Sequence, residues 1–402
     1  MTVIDKFLRY VAVETTSNEK STSSPSTKIQ FNLAKMLAGE LRDMGAAQVM
    51  EDEYCNVYAL IPGNCENQPV IGLIAHQDTV DDVPGCNIKT RRVAYQGGDI
   101  LLNAEKNIVM KAEAFPELAR HIGKTLIVTD GTTLLGADDK AGVAEIMACA
   151  QYLLAHPEIK HGDIKIAFTP DEEIGRGTEH FDVKGFGADF AYTVDGHWID
   201  EMEFENFNAA KASITVHGFS IHPGSAKDRM VNAVKLAMEL NSMLPPRQIP
   251  ENTQDYEGFY HLTGLCGEVQ QATISYIIRD HDAEKFEQKK AFLQHIVCFL
   301  NEKYGAGTFE LCLEDQYRNM RTLLEKHPEV IDRAKNAISA CGMTPCCVPI
   351  RGGTDGAELT YKGLPCPNLG TGGGNGHGVF EYAVVEDMEK MVEVLINIVK
   401  AE

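Results

Sequence analysis

The chain has 402 residues, of which 44% are hydrophobic and 24% charged, as in an ordinary soluble globular protein of two or three domains. Its 58 acidic side chains outnumber 37 basic ones and give a formal charge of −21. This balance argues against functions that depend on basic patches, such as binding nucleic acid or an anionic membrane surface.

The first residues predict an amphipathic helix rather than a secretion signal. Ile4, Phe7, Leu8 and Val11 recur at helical spacing, and charged residues interrupt the apolar block that a signal peptide needs. No apolar run approaches the roughly 20 residues of a membrane span. The 11 cysteines are an odd number without the spacing of a disulfide framework. We therefore expect a cytoplasmic protein whose cysteines are reduced and mostly buried.

Up to about residue 207 the pattern alternates helices with apolar strands. One helix is predicted over residues 27–44, where Gly45 ends it, and another over residues 140–154. Asp138 or Asp139 is placed to cap the second helix. Because such alternation implies parallel pairing, this part of the chain predicts an α/β sheet.

The middle of the chain, residues 208–318, has a different pattern. Its predicted elements follow the order β-α-β-β-α-β, which is the split βαβ, ferredoxin-like arrangement. They span residues 213–217, 231–244, 259–262, 269–278, 282–300 and 308–313. We predict that residues 208–318 form a separate lid or dimerisation domain.

The α/β pattern returns after residue 321, with helices predicted over residues 328–340 and about 386–400. A histidine suited to bind metal, His377, lies beyond the insertion. The catalytic domain is therefore predicted to be discontinuous, with residues 1–207 and 319–402 as its two segments.

Several histidines and carboxylates stand where a predicted apolar strand ends. They are His76 and Asp78 after residues 70–75, Asp138 after 134–137, Glu172 and Glu173 after 164–169, and Asp195 after 191–194. Ligands of open α/β sheets collect beyond the carboxyl ends of the strands, so we expect these side chains to converge. Histidines and carboxylates suit zinc, and a surplus carboxylate suits a second metal or a general base.

Each of these motifs also has a purely structural interpretation. His76 and Asp78 lie on the same side of an extended chain, so one can bind a metal ion while the other orients the first side chain. Alternatively, both side chains bond only to the local backbone. The pair at 138–139 alternatively caps a helix. Adjacent carboxylates at 172–173 repel one another, which a cation would relieve, but they also suit a solvated acidic turn. His377 stands in a glycine-rich segment, 370–378, that would let backbone pass close to a metal site.

Three strings resemble the dizinc exopeptidase superfamily, which includes aminoacylases and glutamate carboxypeptidase. They are residues 74–79 (IAHQDT), 135–142 (LGADDKAG) and 168–173 (FTPDEE). Four further strings narrow the resemblance to the cytoplasmic bacterial tripeptide aminopeptidases of that superfamily. They are residues 192–196, 203–210, 222–224 and 349–357. The resemblance runs nearly end to end, from Phe7 to the last predicted helix.

The resemblance implies two zinc ions per subunit. It implies that His76 and Asp195 hold one ion, that Glu173 and His377 hold the other, and that Asp138 bridges them. The implied reaction is hydrolysis of a peptide bond by metal-activated water.

The resemblance also implies roles for five residues that do not bind metal. Asp78 would orient His76's ring, and Glu172 would be the general base. His222, Arg279 and Arg351 resemble substrate-binding residues, with His222 reaching into the site of a neighbouring subunit in a homodimer. Alternatively, His222 is the residue of a His-Pro turn and Arg351 forms an ordinary salt bridge.

We therefore expect a mixed-sheet α/β zinc exopeptidase domain with an inserted ferredoxin-like lid domain. The expected activity is release of the N-terminal residue from tripeptides. One alternative is a carboxypeptidase or N-acyl amino acid deacylase of the same superfamily. Another is a metal-binding protein without catalysis, against which the intact Glu172 argues.

Overall fold

The computed structural model describes residues 1–401, which divide into two compact units. The first unit consists of Met1–Phe204, Thr322–Val348 and the segment that begins at Thr354. The second consists of Glu205–Arg321 and Pro349–Gly353. The predicted catalytic segment 319–402 includes these last five residues, which the structure groups with the second unit instead. The reason is that Arg351 hydrogen bonds to backbone carbonyls of the second unit.

Residues 1–401 contain 18 strands and ten α-helices. The strands are β1 Ala47–Glu51, β2 Val57–Ile61, β3 Ile71–His76, β4 Arg91–Ala94, β5 Ile100–Asn103, β6 Ile108–Met110, β7 Thr125–Val128, β8 Ile164–Thr169, β9 Phe190–Gly196, β10 Glu201–Glu203, β11 Asn208–His217, β12 Phe259–Gly267, β13 Gln271–Asp280, β14 Phe309–Tyr317, β15 Cys346–Cys347, β16 Asn368–Gly370, β17 Gly373–Gly374 and β18 Tyr382–Val384. The helices are α1 Val3–Val11, α2 Phe31–Met44, α3 Ala137–Ala155, α4 Val183–Phe186, α5 Ala233–Met243, α6 Ala283–Tyr304, α7 Arg321–Leu324, α8 Pro328–Ala340, α9 Asp355–Tyr361 and α10 Val385–Val399.

The main sheet of the first unit has eight strands in the order β1-β2-β8-β3-β9-β16-β10-β15. Its centre, β8-β3-β9-β16, is parallel, whereas β1, β2 and β10 pair antiparallel with their neighbours β2, β8 and β16. All six residues of β3 are buried, as expected for a continuous apolar strand covered on both faces. The predicted mixed α/β sheet is confirmed.

A second sheet of the first unit has the order β17-β18-β7-β4, and β5 and β6 form a separate hairpin. Helix α3 packs against β3 and β9 and also contacts α1 and α10. Gly142 lets α3 approach β9 closely, because a Cβ atom there would collide with the carbonyl oxygen of Val194. This approach places the start of α3 beside the end of β9.

Helix α3 carries Glu145, a fully buried carboxyl whose two oxygens find no hydrogen-bond partner among residues 1–401. Burial raises the pKa of Glu145 well above its ordinary value of 4.5. Above that value the unfolded carboxyl has released its proton while the folded one retains it. Rising pH therefore favours unfolding through this residue.

Glu145→Gln removes this titration, so its stability relative to the parent protein should increase as the pH rises above 4.5. The difference should grow by up to about 1.4 kcal/mol per pH unit until the folded carboxyl ionises. Urea unfolding of both metal-free proteins between pH 5 and pH 8 measures it. Parallel curves of unfolding free energy against pH would contradict the assignment.

The second unit is built on an antiparallel sheet with the order β12-β13-β11-β14. Along the chain its elements run β11, α5, β12, β13, α6 and β14, which confirms the predicted β-α-β-β-α-β order. From Ala210 onward, β11 alternates buried residues with partly buried or exposed ones, and α5 and α6 contact β11 and β13. Strand β12 continues to Gly267, past the predicted end at residue 262, because backbone pairing with β13 resumes after an irregularity at Leu262/Gly264.

All 11 cysteines are free, but only Cys55, Cys149 and Cys366 are buried. The prediction that most would be buried is wrong, since five are exposed. Cys312 shows the reason, because it alternates along β14 with the partly buried Leu311 and Leu313 and therefore faces away from the core. Among residues 1–401, no helix is both long enough and apolar enough to cross a membrane.

Candidate metal centre

All five predicted metal ligands lie together in the first unit. His76 ends β3, Asp195 lies near the end of β9, and Glu173 follows β8. The carboxylate of Asp138 stands between two histidines: its Oδ1 is 3.1 Å from His76 Nε2, and its Oδ2 is 3.2 Å from His377 Nε2. His76 Nε2 is also 3.4 Å from Asp195 Oδ1, and His377 Nε2 is 3.0 Å from Glu173 Oε2.

The donor atoms suit divalent cations. Within the described residues, two groups have possible ligand atoms within 4.8 Å of one another: His76 with Asp138 and Glu173, and His76 with Asp139 and Asp195. Glu173 Oε1 is buried without a hydrogen-bond partner among residues 1–401. Imidazole nitrogens and carboxylate oxygens are ligands that zinc accepts, so the residues present fit a metal centre.

The electrostatics of the cluster favour positive charge. Hydrogen bonds to Asp138 and Glu173 raise the pKa of His377 to about 11. Burial, reinforced by the charge of Asp138, raises the pKa of Glu173 to about 7. Burial also raises the pKa of Asp195, where the raising effect of Asp138 opposes the lowering effect of His76. The crowded carboxylates repel one another when they are ionised. A divalent cation bound between them would relieve this repulsion.

Asp78 is fully buried and links two parts of the cluster. Its Oδ1 lies 3.3 Å from His76 Nδ1, so the other ring nitrogen, Nε2, faces Asp138 and Asp195. Asp78 also accepts the backbone N–H groups of Glu172 at 3.0 Å and Glu173 at 3.3 Å. One carboxylate therefore sets the position of the histidine ring and of the acidic pair.

The acidic pair begins a short 3₁₀-helix, Glu172–Ile174. The preceding Asp171 adopts a left-handed conformation, with φ 58°. Its carboxylate accepts hydrogen bonds from Ser26 N at 2.6 Å and Gln30 Nε2 at 2.6 Å, which anchor the turn. Burial raises the pKa of the Glu172 carboxyl well above its ordinary value.

Metal binding and helix capping are both possible for the pair Asp138 and Asp139, and the structure gives the two residues different positions. Asp139 Oδ1 accepts the N–H of Gly142 at 3.2 Å and so caps the helical part of α3. Its Oδ2 accepts the backbone N–H of His76 at 3.1 Å. Asp138 faces the histidines instead. Both residues have non-helical backbone angles, and regular helix begins after them, as predicted.

The glycine-rich segment passes close to Asp138. A Cβ atom at Gly376 would lie 3.0 Å from Asp138 Oδ2, and His377 itself has φ 64°. A bulky side chain at 376 would press against the carboxylate, so this glycine lets the backbone approach closely.

Sequence reasoning missed several buried polar groups around the cluster. Glu381 accepts the backbone N–H groups of Leu135, Gly136 and Asp138, at and just before the start of α3. Asp355 accepts Thr169 Oγ1 at 2.8 Å, and burial raises its pKa to about 7. Asn368 accepts the N–H of Asp195 at 3.2 Å and donates to Glu203 at 2.6 Å. No local pattern marks these residues, because each partner is distant in sequence; the one signal was that Glu381 follows the glycine-rich segment.

The three predicted substrate-binding residues lie in the second unit. His222 is exposed and precedes the short 3₁₀-helix Pro223–Ser225, with its Nδ1 accepting Gly224 N at 3.1 Å. Arg279 is buried in β13 and donates to Ala210 O, Ile278 O and Gln316 Oε1. Arg351 donates to Asp255 O at 2.6 Å, Glu257 O at 3.0 Å and Thr253, and lies over the ring of Phe207.

Residues 130–401 match the model of a protein family described as peptidase family M20/M25/M40. The chain belongs to this family. It is 54% identical to a peptidase T of Clostridium novyi over 400 residues, which cover 99% of this chain and 98% of that protein. It is 52% identical over 402 residues to a peptidase T of Alkaliphilus oremlandii, with the same coverage. The chain is thus a hydrolase of a metallopeptidase family, and the resemblance in its motifs is confirmed.

Solved structures of the family share the fold. An aminopeptidase PepT from Bacillus cereus has a TM-score of 0.77 at 23% identity, and a tripeptidase from Staphylococcus aureus has 0.79 at 21%. Each alignment covers 99% of this chain and 97% of that structure. A dinuclear metal-binding peptidase of the M20 family from Bacillus subtilis has a TM-score of 0.64 at 15% identity, over 99% of this chain and 96% of that structure.

Proposed function

We propose that this protein is a dizinc aminopeptidase that releases the N-terminal residue from tripeptides. The observation that carries the proposal is the Asp138 carboxylate, which presents one oxygen to His76 and the other to His377. A carboxylate between two histidine-carboxylate groups can be shared by a pair of metal ions, each held by one of the groups. The curated relatives named peptidase T, and the solved aminopeptidase and tripeptidase, support the substrate class.

The ligands divide into two sets around Asp138. His76 and Asp195 would hold one zinc ion, and Glu173 and His377 would hold the other, with Asp138 shared. When bound, zinc supplies Lewis acidity, which lowers the pKa of water and polarises a carbonyl.

Glu172 would act as the general base and then as the general acid. Its carboxylate accepts a proton from the attacking water and returns it to the departing amine. Asp78 is a positioning residue for this step, because it holds the backbone N–H of Glu172 and orients the His76 ring with the same carboxylate. The base and the histidine are therefore fixed relative to each other.

His222 would bind the carbonyl oxygen of the scissile bond. Because its Nδ1 accepts a hydrogen bond from Gly224 N, the neutral ring carries its proton on Nε2, which is then a donor. A donor aimed at an oxygen that becomes negative stabilises the transition state. We propose that His222 serves the site of the other subunit in a homodimer.

Subunit mixing tests the shared site. Glu172→Gln and His222→Ala proteins should each be inactive, whereas heterodimers of the two contain one site with both residues intact. Random exchange of equal amounts should restore about a quarter of the parental activity, since half of the dimers would each carry one complete site. Activity against tripeptides after exchange measures this.

The control mixes Glu172→Gln with the double variant Glu172→Gln/His222→Ala, which contains no complete site and should stay inactive. If verified heterodimers of the two single variants are also inactive, the site is not shared between subunits.

Arg279 and Arg351 are the proposed partners of the substrate carboxylate. Guanidinium groups bind carboxylates through paired hydrogen bonds and stay charged at physiological pH. Arg351 already uses both terminal nitrogens on residues 253–257. Arg279 likewise donates from both terminal nitrogens, to Ala210 O, Ile278 O and Gln316 Oε1, so a substrate carboxylate would compete with protein acceptors at either arginine.

A peptide panel tests the substrate class. Tripeptides should be cleaved faster than dipeptides or longer peptides, because their carboxylate lies at a fixed distance from the first peptide bond. Amidating the C-terminus should lower kcat/KM roughly 10- to 100-fold, the loss expected for a charge-assisted hydrogen bond. Mass spectrometry of the products identifies the bond cleaved.

Blocking the N-terminal amine of the same tripeptides should abolish cleavage. Efficient cleavage of N-acylated substrates would instead favour a deacylase or a carboxypeptidase. Equal rates for free and amidated tripeptides would remove the role of the arginines in measuring substrate length.

We also propose that the enzyme works in the cytoplasm, on short peptides left by protein breakdown. In support, all 11 cysteines are free thiols, as is usual for proteins in a reducing compartment. Cell fractionation that recovers the protein outside the cytoplasm would contradict this location.

A further inference from the structure

Glu381 holds the segment that presents Asp138. The residue is buried, with 2% relative exposure, and immediately precedes β18. Its Oε2 accepts the backbone N–H groups of Leu135 and Gly136, each at 2.7 Å. Its Oε1 accepts the N–H of Asp138 at 3.0 Å. Three backbone donors within four residues therefore bond to a single carboxylate.

The turn depends on these bonds because the hydrogen bonds of regular secondary structure do not fix its backbone. Gly136 has φ 78°, and Asp138 has non-helical angles of φ −83° and ψ 103°. The helical hydrogen bonds of α3 therefore do not fix the peptide of Asp138. The direction of its side chain depends on the bonds that its backbone makes to Glu381.

Glu381 and His377 belong to one short segment that contacts Asp138 at both ends. His377 Nε2 reaches Asp138 Oδ2 at 3.2 Å, while Glu381 accepts the N–H of the same residue. Glu381 directly precedes β18, which pairs with β7 and β17, so the sheet anchors the backbone on one side of this carboxylate. The segment 377–381 therefore both contributes His377 and fixes the backbone of Asp138, which His377 contacts.

We propose that Glu381 is a positioning residue that sets the affinity of the metal centre through Asp138. The inference rests on the proposed function, because it takes Asp138 as the carboxylate shared by the two ions. Partners that orient metal ligands contribute to affinity in this way, and their replacement weakens binding or activity roughly 10- to 100-fold. Glu381 itself would touch neither metal nor substrate.

The experiment compares four proteins: the parent, Glu381→Gln, Asp138→Ala and the double variant. An amide at 381 would turn an NH₂ group toward backbone N–H donors, so at least one of the three bonds is lost. Calorimetric titration of the metal-free proteins with Zn²⁺ should show roughly 10- to 100-fold weaker binding for Glu381→Gln. In the Asp138→Ala background the same substitution should change the remaining affinity by less than about 3-fold, because coupled residues are non-additive.

Glu386→Gln is the matched control. Glu386 is exposed and also accepts a backbone N–H, that of Thr125, at 2.8 Å, but it does not contact the cluster. Its replacement should leave Zn²⁺ affinity unchanged. If Glu381→Gln does not fold, Glu381→Asp makes the same comparison, because a shorter side chain withdraws the carboxylate from the N–H groups while keeping its charge.

Parental Zn²⁺ affinity in Glu381→Gln, or an equal loss in the presence and absence of Asp138, would overturn the proposal. The titration contains no peptide, so it is separate from the test of activity. A parent protein that binds two zinc ions but cleaves no tripeptide would contradict the proposed function alone.

Discussion

Glu172→Gln is expected to lower kcat at least about 100-fold while both metal ions stay bound, the lower range for loss of a general base. The amide has nearly the shape of the carboxylate but cannot take a proton from water. Metal binding should survive because the backbone of residue 172, rather than its side chain, bonds to Asp78. Steady-state kinetics with a tripeptide, alongside elemental analysis for zinc, measure both quantities.

Glu179→Gln is a suitable control for this variant. Glu179 follows the same 3₁₀-helix, but its side chain is 48% exposed and pairs with Arg176. Its replacement should leave kcat close to the parental value. Near-parental activity of Glu172→Gln with full zinc occupancy would remove Glu172 from the reaction.

Asp138→Ala is expected to weaken both metal sites, whereas His377→Ala should chiefly weaken one. The reason is that Asp138 faces both histidines, with its oxygens 3.1 Å from His76 Nε2 and 3.2 Å from His377 Nε2. His377 contacts Asp138 and Glu173 only on its own side of the cluster. Zinc per subunit, measured after gel filtration into metal-free buffer, distinguishes the two variants.

Asp130→Ala is the control for loss of an acidic side chain elsewhere in the first unit. Asp130 accepts hydrogen bonds from Thr132 and pairs with Lys89 at 3.6 Å, away from the predicted ligands. It should retain the zinc content of the parent. If Asp138→Ala still binds two zinc ions tightly, the shared ligand has been assigned to the wrong residue.

Local patterns were sufficient to predict the second unit. From Ala210 onward, β11 alternates buried side chains with partly buried or exposed ones, and α6 is capped by Asp282, whose side chain accepts a hydrogen bond from Lys285 N. Signals of this kind lie within a few residues, so the order of elements is readable from sequence. The length of β12 is not, since its outer half is exposed and follows the register of β13.

Convergence of the cluster was predictable because neighbouring strands of a parallel sheet end at one edge. His76 and Asp195 lie on or near the ends of paired strands, and Glu173 follows a third. The supports around them were not predictable. Glu381 meets Leu135 across 246 positions, and Asn368 meets Asp195 across 173, so each contact exists only after folding.

The sequence also did not reveal that residues 349–353 belong to the second unit or that most cysteines are not buried. Arg351 joins the second unit by donating to backbone carbonyl oxygens of residues 253–257. Every residue has a backbone carbonyl, so the sequence does not mark which ones will accept such bonds. Cysteine is a small apolar residue that is usually buried, and exposed positions such as Cys266 and Cys298 depart from that tendency.

The most direct test of the proposed function is to incubate the zinc-loaded protein with a tripeptide of three different residues and identify the products by mass spectrometry. We expect the free N-terminal amino acid and the remaining dipeptide, with no such products from Glu172→Gln under the same conditions. Release of the C-terminal residue, or no cleavage by fully zinc-loaded protein, would contradict the assignment as a tripeptide aminopeptidase.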